Sequence, residues 1–303
     1  MTWTPADLPS FDGRTVVVTG GNSGIGRHTA AALARAGAEV TIACRNVTAA
    51  EEAVAAMAAD GATGVQVAEL DLADLASVRG FAERWHGPLD VLVNNAGVMT
   101  PPRYRQTVDG FELQFGTNHL GHVALTAGLL PHLLAAEQPR VTTVSSIAHW
   151  RGRPDVLDGN QGGTYRPEHA YGNTKLANLL FAFELQRRAA LVGSNLVSNA
   201  AHPGVSATGL VTSPQGLGAI PGVRPLAPAV LRLLFQSAAA GANPTLYAVA
   251  EAGPASYTGP QRLRESRGPV GPARMSRYAR DEALAGKLWD LSLDLTGSRF
   301  DWG

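Results

Sequence analysis

The chain has 303 residues, 45% of them apolar, with 25 basic and 25 acidic side chains and a formal net charge of zero. That length allows one large α/β domain or two small ones around a full core, and neutrality gives no electrostatic reason for a nucleic-acid or anionic-membrane partner. The single cysteine, Cys44, rules out an intrachain disulfide and suits a reducing cytosol, and no stretch nears the roughly 20 apolar residues that span a bilayer.

Residues 1–13 hold no apolar run of signal-peptide length. Residues 14–19 (RTVVVT) form a β-branched run that predicts a buried strand. A glycine turn follows, then an alanine-rich helix over 26–36 closed by Gly37. Residues 39–44 predict the second strand, and 48–59 a helix with Thr48 as N-cap and Glu51 completing a capping box. Residues 65–70 read as a strand. Over 74–85 an amphipathic helix has Leu75, Val78, Ala82 and Trp85 on one face. A strand at 89–93 precedes one long helix within 110–136, bent near Gly121 or Pro131. A strand at 141–144, a long helix at 169–188 and a strand at 195–200 follow. Residues 213–228, rich in Gly and Pro, read as an irregular loop; helices at 228–236 and 244–251, a short strand at 256–258 and a last helix at 281–295 complete the chain. Alternating β and α elements with near-continuous apolar strands predict an α/β protein: a doubly wound parallel sheet covered on both faces. No internal repeat or low-complexity linker divides it, so the expectation is a single domain over 1–303, with a core at 13–209 and a C-terminal elaboration at 210–303.

The turn Thr19-Gly20-Gly21-Asn22-Ser23-Gly24-Ile25-Gly26 links the first strand to the first helix. Its glycines permit a tight turn and close backbone approach to a pyrophosphate, and the helix N-terminus offers free N–H groups. Folds of this kind that bind NAD place an acid at the end of the second strand. Here Cys44 stands there, followed by Arg45 and Asn46. No acid repels a 2′-phosphate and a guanidinium can pair with one, so NADP(H) is expected in preference to NAD(H). Tyr171 and Lys175 lie four residues apart, about one helical turn, on one face. A phenol beside an ammonium is a device for acid–base chemistry, because positive charge favours the phenolate.

Taken in order, these segments make the chain similar to the short-chain dehydrogenase/reductase family, from about residue 13 to residue 209 and more weakly beyond. Thr19–Gly26 resembles the family's nucleotide turn, Asp71-Leu72 its adenine-contacting pair, and Asn94-Asn95-Ala96-Gly97 its fourth-strand motif beside the cofactor. Asn118 matches its catalytic asparagine, Ser146 its serine, and Tyr171 and Lys175 the remaining pair; Pro203-Gly204, with Thr208 after it, resembles the segment lining the nicotinamide. Within the family the chain looks most like the retinol-dehydrogenase and protochlorophyllide-reductase-like branch. The strand ending Ala43-Cys44-Arg45-Asn46, the long gap from Ser146 to Tyr171 and the tail Leu288-Trp289-Asp290-Leu291-Ser292 carry that likeness. Membrane-bound retinol dehydrogenases carry an N-terminal anchor that this chain lacks, so a cytoplasmic protein with no membrane partner is expected.

The resemblance implies a Rossmann-type, three-layer α/β/α fold with a substrate-loop elaboration. It also implies reversible hydride transfer between nicotinamide and a carbonyl or alcohol. Tyr171 would exchange the proton, Ser146 would hydrogen-bond the substrate oxygen, and Lys175 would lower the Tyr171 pKa and bind the ribose. Asn118 would hold a water joining Lys175 to solvent. Two other readings remain: a non-catalytic NADP(H)-binding sensor or scaffold, and a sugar-nucleotide epimerase-like enzyme, which also uses Tyr-x-x-x-Lys. No metal is expected, because His119 and His122 have no carboxylate or cysteine cluster at metal-ligand spacing. Ser145 reads as a structural neighbour of Ser146. His149 and Trp150 either line the substrate pocket or pack at the surface. Arg262, Arg264, Arg267, Arg274, Arg277 and Arg280 read as a solvated basic face, with a site for an acidic substrate group as the alternative. Leu210, Val211, Leu217, Ile220 and Val223, in the family's substrate-lid region, suit an apolar pocket, and the helices over 110–136 and 169–188 could form a homodimer or homotetramer seam.

Overall fold

The computed structural model describes residues 3–160, 164–205 and 236–303. Thr208, the loop at 213–228, the helix at 228–236 apart from Gln236, and the apolar lid residues 210–226 lie outside the described residues.

The β-branched runs form the strands that their patterns predict. β1 (Thr15–Thr19), β2 (Glu39–Cys44), β3 (Val65–Glu69), β4 (Val91–Asn94), β5 (Arg140–Val144) and β6 (Val197–Ala201) pair in parallel, in the spatial order 3-2-1-4-5-6. β7 (Tyr257–Arg262) extends the parallel ladder from β6, and β8 (Arg267–Pro272) closes the edge antiparallel to β7. β8 was not expected from the sequence. Its Arg-Gly-Pro-Val-Gly-Pro reads as loop, because two prolines and two glycines suit only an edge strand, where one side of the ladder is unpaired.

The helices are α1 (Gly24–Arg35), α2 (Val47–Ala59), α3 (Leu75–Glu83), α4 (Gly121–Leu134), α5 (Pro167–Leu191), α6 (Ala238–Ala250) and α7 (Glu282–Thr296). They cover both faces because successive side chains of a strand point to opposite sides. Val16 and Val18 of β1 pack with Leu33, Met57, Leu246 and Val249 on one face, whereas Val17 packs with Val123, Leu125, Phe181 and Trp289 on the other. This is the doubly wound, three-layer α/β/α arrangement.

Three local expectations change. α2 is capped by Asn46, whose Oδ1 accepts the Ala49 N–H at 3.0 Å, and not by Thr48. The earlier side chain reaches the free amides first, so the helix starts at Val47. The one long helix expected within 110–136 is instead interrupted next to Gly121: a single α-helical turn at Leu113–Phe115 runs into a π-helical turn, Gly116–Leu120, before α4 begins at Gly121. Pro244 reads as a helix start but lies inside α6, whose first turn is capped by the Ser237 side chain.

Candidate active site

The C-terminal ends of β1, β4, β5 and β6 converge with the start of α1 and the N-terminal part of α5. Gly20 adopts φ +65°, in the left-handed region that glycine enters freely. A Cβ on Gly26 would come within 2.5 Å of both Asn95 Nδ2 and the Gly20 carbonyl, so only glycine lets α1 approach this closely. Ser23 caps α1 by position yet makes no side-chain capping bond, which leaves the first amides of the helix available to an anion. Asn22 is half-buried at the turn, Ser23 is exposed, and Ile25 packs against the core beneath. Thr19 ties the turn to β4: its Oγ1 accepts the N–H groups of Asn95 and Ala96, each at 2.9 Å, while Asn95 Nδ2 donates to the Thr19 carbonyl at 2.7 Å. A glycine-built cradle at an uncapped helix N-terminus fits the pyrophosphate of a dinucleotide.

At the end of β2 the Arg45 guanidinium is 73% exposed, with its Nη1 3.8 Å from Asp71 Oδ2. Asp71 holds the loop after β3 by accepting the Ala73 N–H at 2.9 Å, and Leu72 is buried beneath α4. Arg45 is therefore positioned by a solvent-screened ion pair that a competing anion could replace. Cys44 is buried, and burial alone raises its thiol pKa, so it packs and is not poised as a thiolate.

Ser146, Tyr171 and Lys175 come together. Ser146 ends the extended segment after β5 and its Oγ accepts the Ala148 N–H at 3.1 Å. The Tyr171 hydroxyl faces the Ser146 side chain, close enough for the serine to draw its pKa down. One turn along α5, the buried Lys175 ammonium donates to the Val144 carbonyl at 3.0 Å and lies 5.8 Å from the centre of the Tyr171 ring. Ser145 turns the other way and donates to the Lys175 carbonyl at 2.7 Å, which is a structural role. The expected lowering of the Tyr171 pKa is not what protein groups alone produce. Burial pushes Tyr171 up to about 12, against the pull of the Ser146 hydrogen bond, and burial brings Lys175 down to about 8. Desolvation disfavours both charged forms, so it opposes the phenolate and the ammonium together.

Asn118 stands in the π-helical turn with its side chain fully engaged: Oδ1 accepts the Val98 N–H at 2.7 Å and Nδ2 donates to the Val98 carbonyl at 2.8 Å. Its main-chain oxygen faces His122 Nδ1 at 3.0 Å. His122 Nε2 is 2.9 Å from Thr19 Oγ1. Thr19 already accepts two amides, so its hydroxyl proton goes to His122 Nε2, and Nδ1–H donates to Asn118. Burial pushes His122 down to about 4 despite the Asn118 hydrogen bond, with the Lys175 charge acting in the same direction as burial. Gly97 lies against the Asn118 amide, and Pro203-Gly204 follows β6 at the far side of the site.

His149 is fully buried: its Nδ1 donates to the Ser146 carbonyl at 2.7 Å and its Nε2 accepts the Ser276 N–H at 3.2 Å. Trp150 beside it is 48% exposed. His149 is thus neither pocket lining nor surface packing but a pin between the serine segment and the C-terminal third. Sequence reasoning treated His122 only as a metal-ligand question; its i+4 spacing from Asn118 was the signal that it shares a helical face with that residue. All six arginines of the 262–280 region are exposed, as a solvated face requires. Among the described residues no group of three or more His, Cys, Asp or Glu could hold a metal ion, and no helix is long and apolar enough to cross a membrane.

Residues 14–214 match the family described as short chain dehydrogenase. The chain is 39% identical to retinol dehydrogenase 12 of Mus musculus over 293 residues, 95% of this chain and 88% of that protein. It is 40% identical to polyprenol dehydrogenase of Mus musculus over 310 residues, 97% of this chain and 87% of that protein. Among solved structures, an uncharacterized protein from Mycobacterium paratuberculosis shares 46% identity at a TM-score of 0.83, covering 99% of this chain and 100% of that one. A protein assigned as an NAD(P)-dependent gluconate 5-dehydrogenase from Beutenbergia cavernae, with NADP bound at low occupancy, shares 27% identity at a TM-score of 0.62, over 80% of this chain and 91% of that one. Seen beside the glycine cradle and the serine–tyrosine–lysine cluster, these similarities are decisive: the chain belongs to the short-chain dehydrogenase/reductase family of oxidoreductases, in its retinol-dehydrogenase-like branch.

Proposed function

We propose that the chain is an NADP(H)-dependent oxidoreductase that interconverts a lipophilic carbonyl compound and its alcohol, with Tyr171 as general acid and base. The observation that carries this reading is the grouping of Tyr171 beside Ser146 with the buried Lys175 ammonium 5.8 Å from the centre of its ring. When bound, the nicotinamide would supply or accept the hydride. Gly20, Asn22, Ser23, Gly24, Ile25 and Gly26 would hold the pyrophosphate, Arg45 and Asn46 the adenosine 2′-phosphate, and Asp71-Leu72 the adenine. Asn95-Ala96-Gly97 and the segment from Pro203 to Thr208 would flank the reacting end.

In the reducing direction Tyr171 gives its proton to the substrate oxygen and Ser146 donates a hydrogen bond to the same atom as charge develops there. The phenolate left behind is supported by Lys175, whose pKa of about 8 keeps much of it charged at neutral pH while leaving it able to pass a proton on. The Asn118 carbonyl, held by His122, is the acceptor at which a relay water would sit. In oxidation the same steps run backwards.

NADP(H) is favoured by the exposed Arg45 at a strand end with no acid, and by the NADP in a related structure. A lipophilic substrate is favoured by relatives named for retinol and polyprenol, both apolar alcohols. The whole chain acts as one unit, with residues 13–209 handling the nucleotide and 210–303 the substrate side. A panel of lipophilic aldehydes, ketones and alcohols followed at the NADPH absorbance tests this. Turnover of apolar members is expected, whereas activity confined to small charged compounds, or none, would refute the substrate class or the reaction.

A further inference from the structure

The turn joining β7 to β8 is built against the preferences of its residues. Leu263, Arg264 and Glu265 all lie in the left-handed region, at φ 50°, 55° and 63°. Three successive non-glycine residues there are costly, and such backbone persists only where the surroundings over-determine it. The consequence is that Glu265 points inward and is buried, at 8% exposure, while its neighbours Leu263 and Arg264 face solvent. A buried carboxylate needs partners. Oε1 accepts the Arg274 N–H at 2.9 Å, and Oε2 lies 3.4 Å from His202 Nε2. Burial tends to raise the Glu265 pKa, but the neighbouring His202 and Arg274 groups outweigh it and hold the group below the ordinary carboxylate range.

His202 is the first residue after β6 and is wholly buried. Its Nδ1 accepts the Gly204 N–H at 3.2 Å, so the ring proton is on Nε2, towards Glu265. The same turn grips the next residues directly. The Ser266 carbonyl accepts the Val205 N–H at 2.9 Å, and a Cβ on Gly204, itself at φ +69°, would strike that carbonyl at 2.4 Å. Gly259 of β7 leaves room for the imidazole: a Cβ there would lie 1.9 Å from Nε2. His202 through Val205 is therefore clamped from above by a strained hairpin turn and from within by a buried carboxylate.

We propose that Glu265 is a positioning residue: it fixes the His202 ring and so the backbone of Pro203-Gly204 in the shape that flanks the nicotinamide end of the cofactor. This rests on the oxidoreductase reading above, and it assigns a role to the β7–β8 turn, which lies outside the family's nucleotide and catalytic motifs. An amide in place of the carboxylate cannot satisfy both partners. One of its two ends must be the NH2 group, which would face a donor, either the Arg274 amide or His202 Nε2–H. Relief by the other imidazole tautomer would put a proton on Nδ1 and break the Gly204 contact.

Titration of the wild-type chain, E265Q and E265D by protein fluorescence tests the proposal, with NADPH and with adenosine 2′,5′-bisphosphate, which carries only the adenine end. E265Q is expected to weaken NADPH about tenfold, the effect of one charged hydrogen bond, while leaving the bisphosphate within about twofold. E265D, which keeps the charge but withdraws it, should fall between, and it gives the same readout if E265Q does not fold. Unchanged NADPH binding, or an equal loss for both ligands, would overturn the positioning role. A wild-type chain that binds the bisphosphate but shows no gain from the nicotinamide half would overturn it too. Wild-type protein that binds neither ligand, nor NADH, would overturn the oxidoreductase reading beneath it.

Discussion

Around the β1 turn, backbone meets backbone because side chains are missing: Gly26 sits against Gly20 and Asn95, and the bonds that hold the turn are amide-to-oxygen contacts through Thr19. Around β5, β6 and α5 the reverse holds, and buried titratable side chains carry the architecture. His149 pins the Ser146 segment, His122 holds the Asn118 carbonyl, Glu265 faces His202, and Lys175 is tied under Val144. The first region is built by shape, and among its bonds the Thr19–His122 contact ties it to a titratable group. The second is built by charge and hydrogen bonding in a dry interior, where desolvation lowers the pKa values of His122, His149 and Lys175. The serine–tyrosine–lysine cluster is thus surrounded by groups that respond to pH, next to a glycine turn held mainly by shape.

The comparison breaks first at Tyr171. Tyr171→Phe removes only a hydroxyl, so turnover should fall by about 10² to 10⁴, the range for a lost general acid, while NADPH affinity stays within about twofold. Steady-state rates beside a binding titration check this, and unchanged activity would remove the mechanism.

Acid should separate the two regions next. His122 and His149 are each held at about 4, against an ordinary value near 6.5. Their folded pKa values lie below the unfolded ones, so the unfolded chain takes up protons first as pH falls. The stability they contribute is complete above about 6.5 and is lost between there and about 4. Each group loses about 3 kcal/mol over that span at 1.36 kcal/mol per unit. Denaturant unfolding from pH 7 to 4 should show the drop. Glu184 and Glu265, held below the ordinary carboxylate range, add to it only at still lower pH. A flat profile between pH 6.5 and 4 would contradict the buried neutral histidines.

Gly26→Ala probes the region built by shape. Its Cβ must push aside Asn95 Nδ2 and the Gly20 carbonyl, which should destabilise the fold by about 1–3 kcal/mol, as overpacking does. The loss should be the same at pH 6 and pH 8; a pH-dependent loss would show that the turn is not purely steric. The smallest effect is expected at Arg45. Arg45→Ala should raise the NADPH dissociation constant about tenfold and leave that for NADH nearly unchanged. Equal changes for both would remove the reason for preferring NADP(H).

Much of the fold was legible because its signals are local. The run Thr-Val-Val-Val-Thr makes β1 wherever it is placed in a parallel sheet, and an i,i+4 step puts Tyr171 and Lys175 on one face of α5. β8 was invisible because prolines and glycines that suit an edge strand also suit a loop. The α2 cap was misread by two residues because Asn46 and Thr48 are both good caps, and only the chain path chooses between them.

The sequence alone determined the order of elements, the glycine cradle and the residues available for proton exchange, since each depends on neighbours within a turn or a strand. Only the tertiary structure decided which histidines are buried and neutral, that Asn118 sits in a π-turn, and that Glu265 meets a histidine 63 residues earlier in the chain. Those outcomes depend on desolvation and on contacts between distant segments. Both are set by how the layers pack and cannot be read from spacing along the chain.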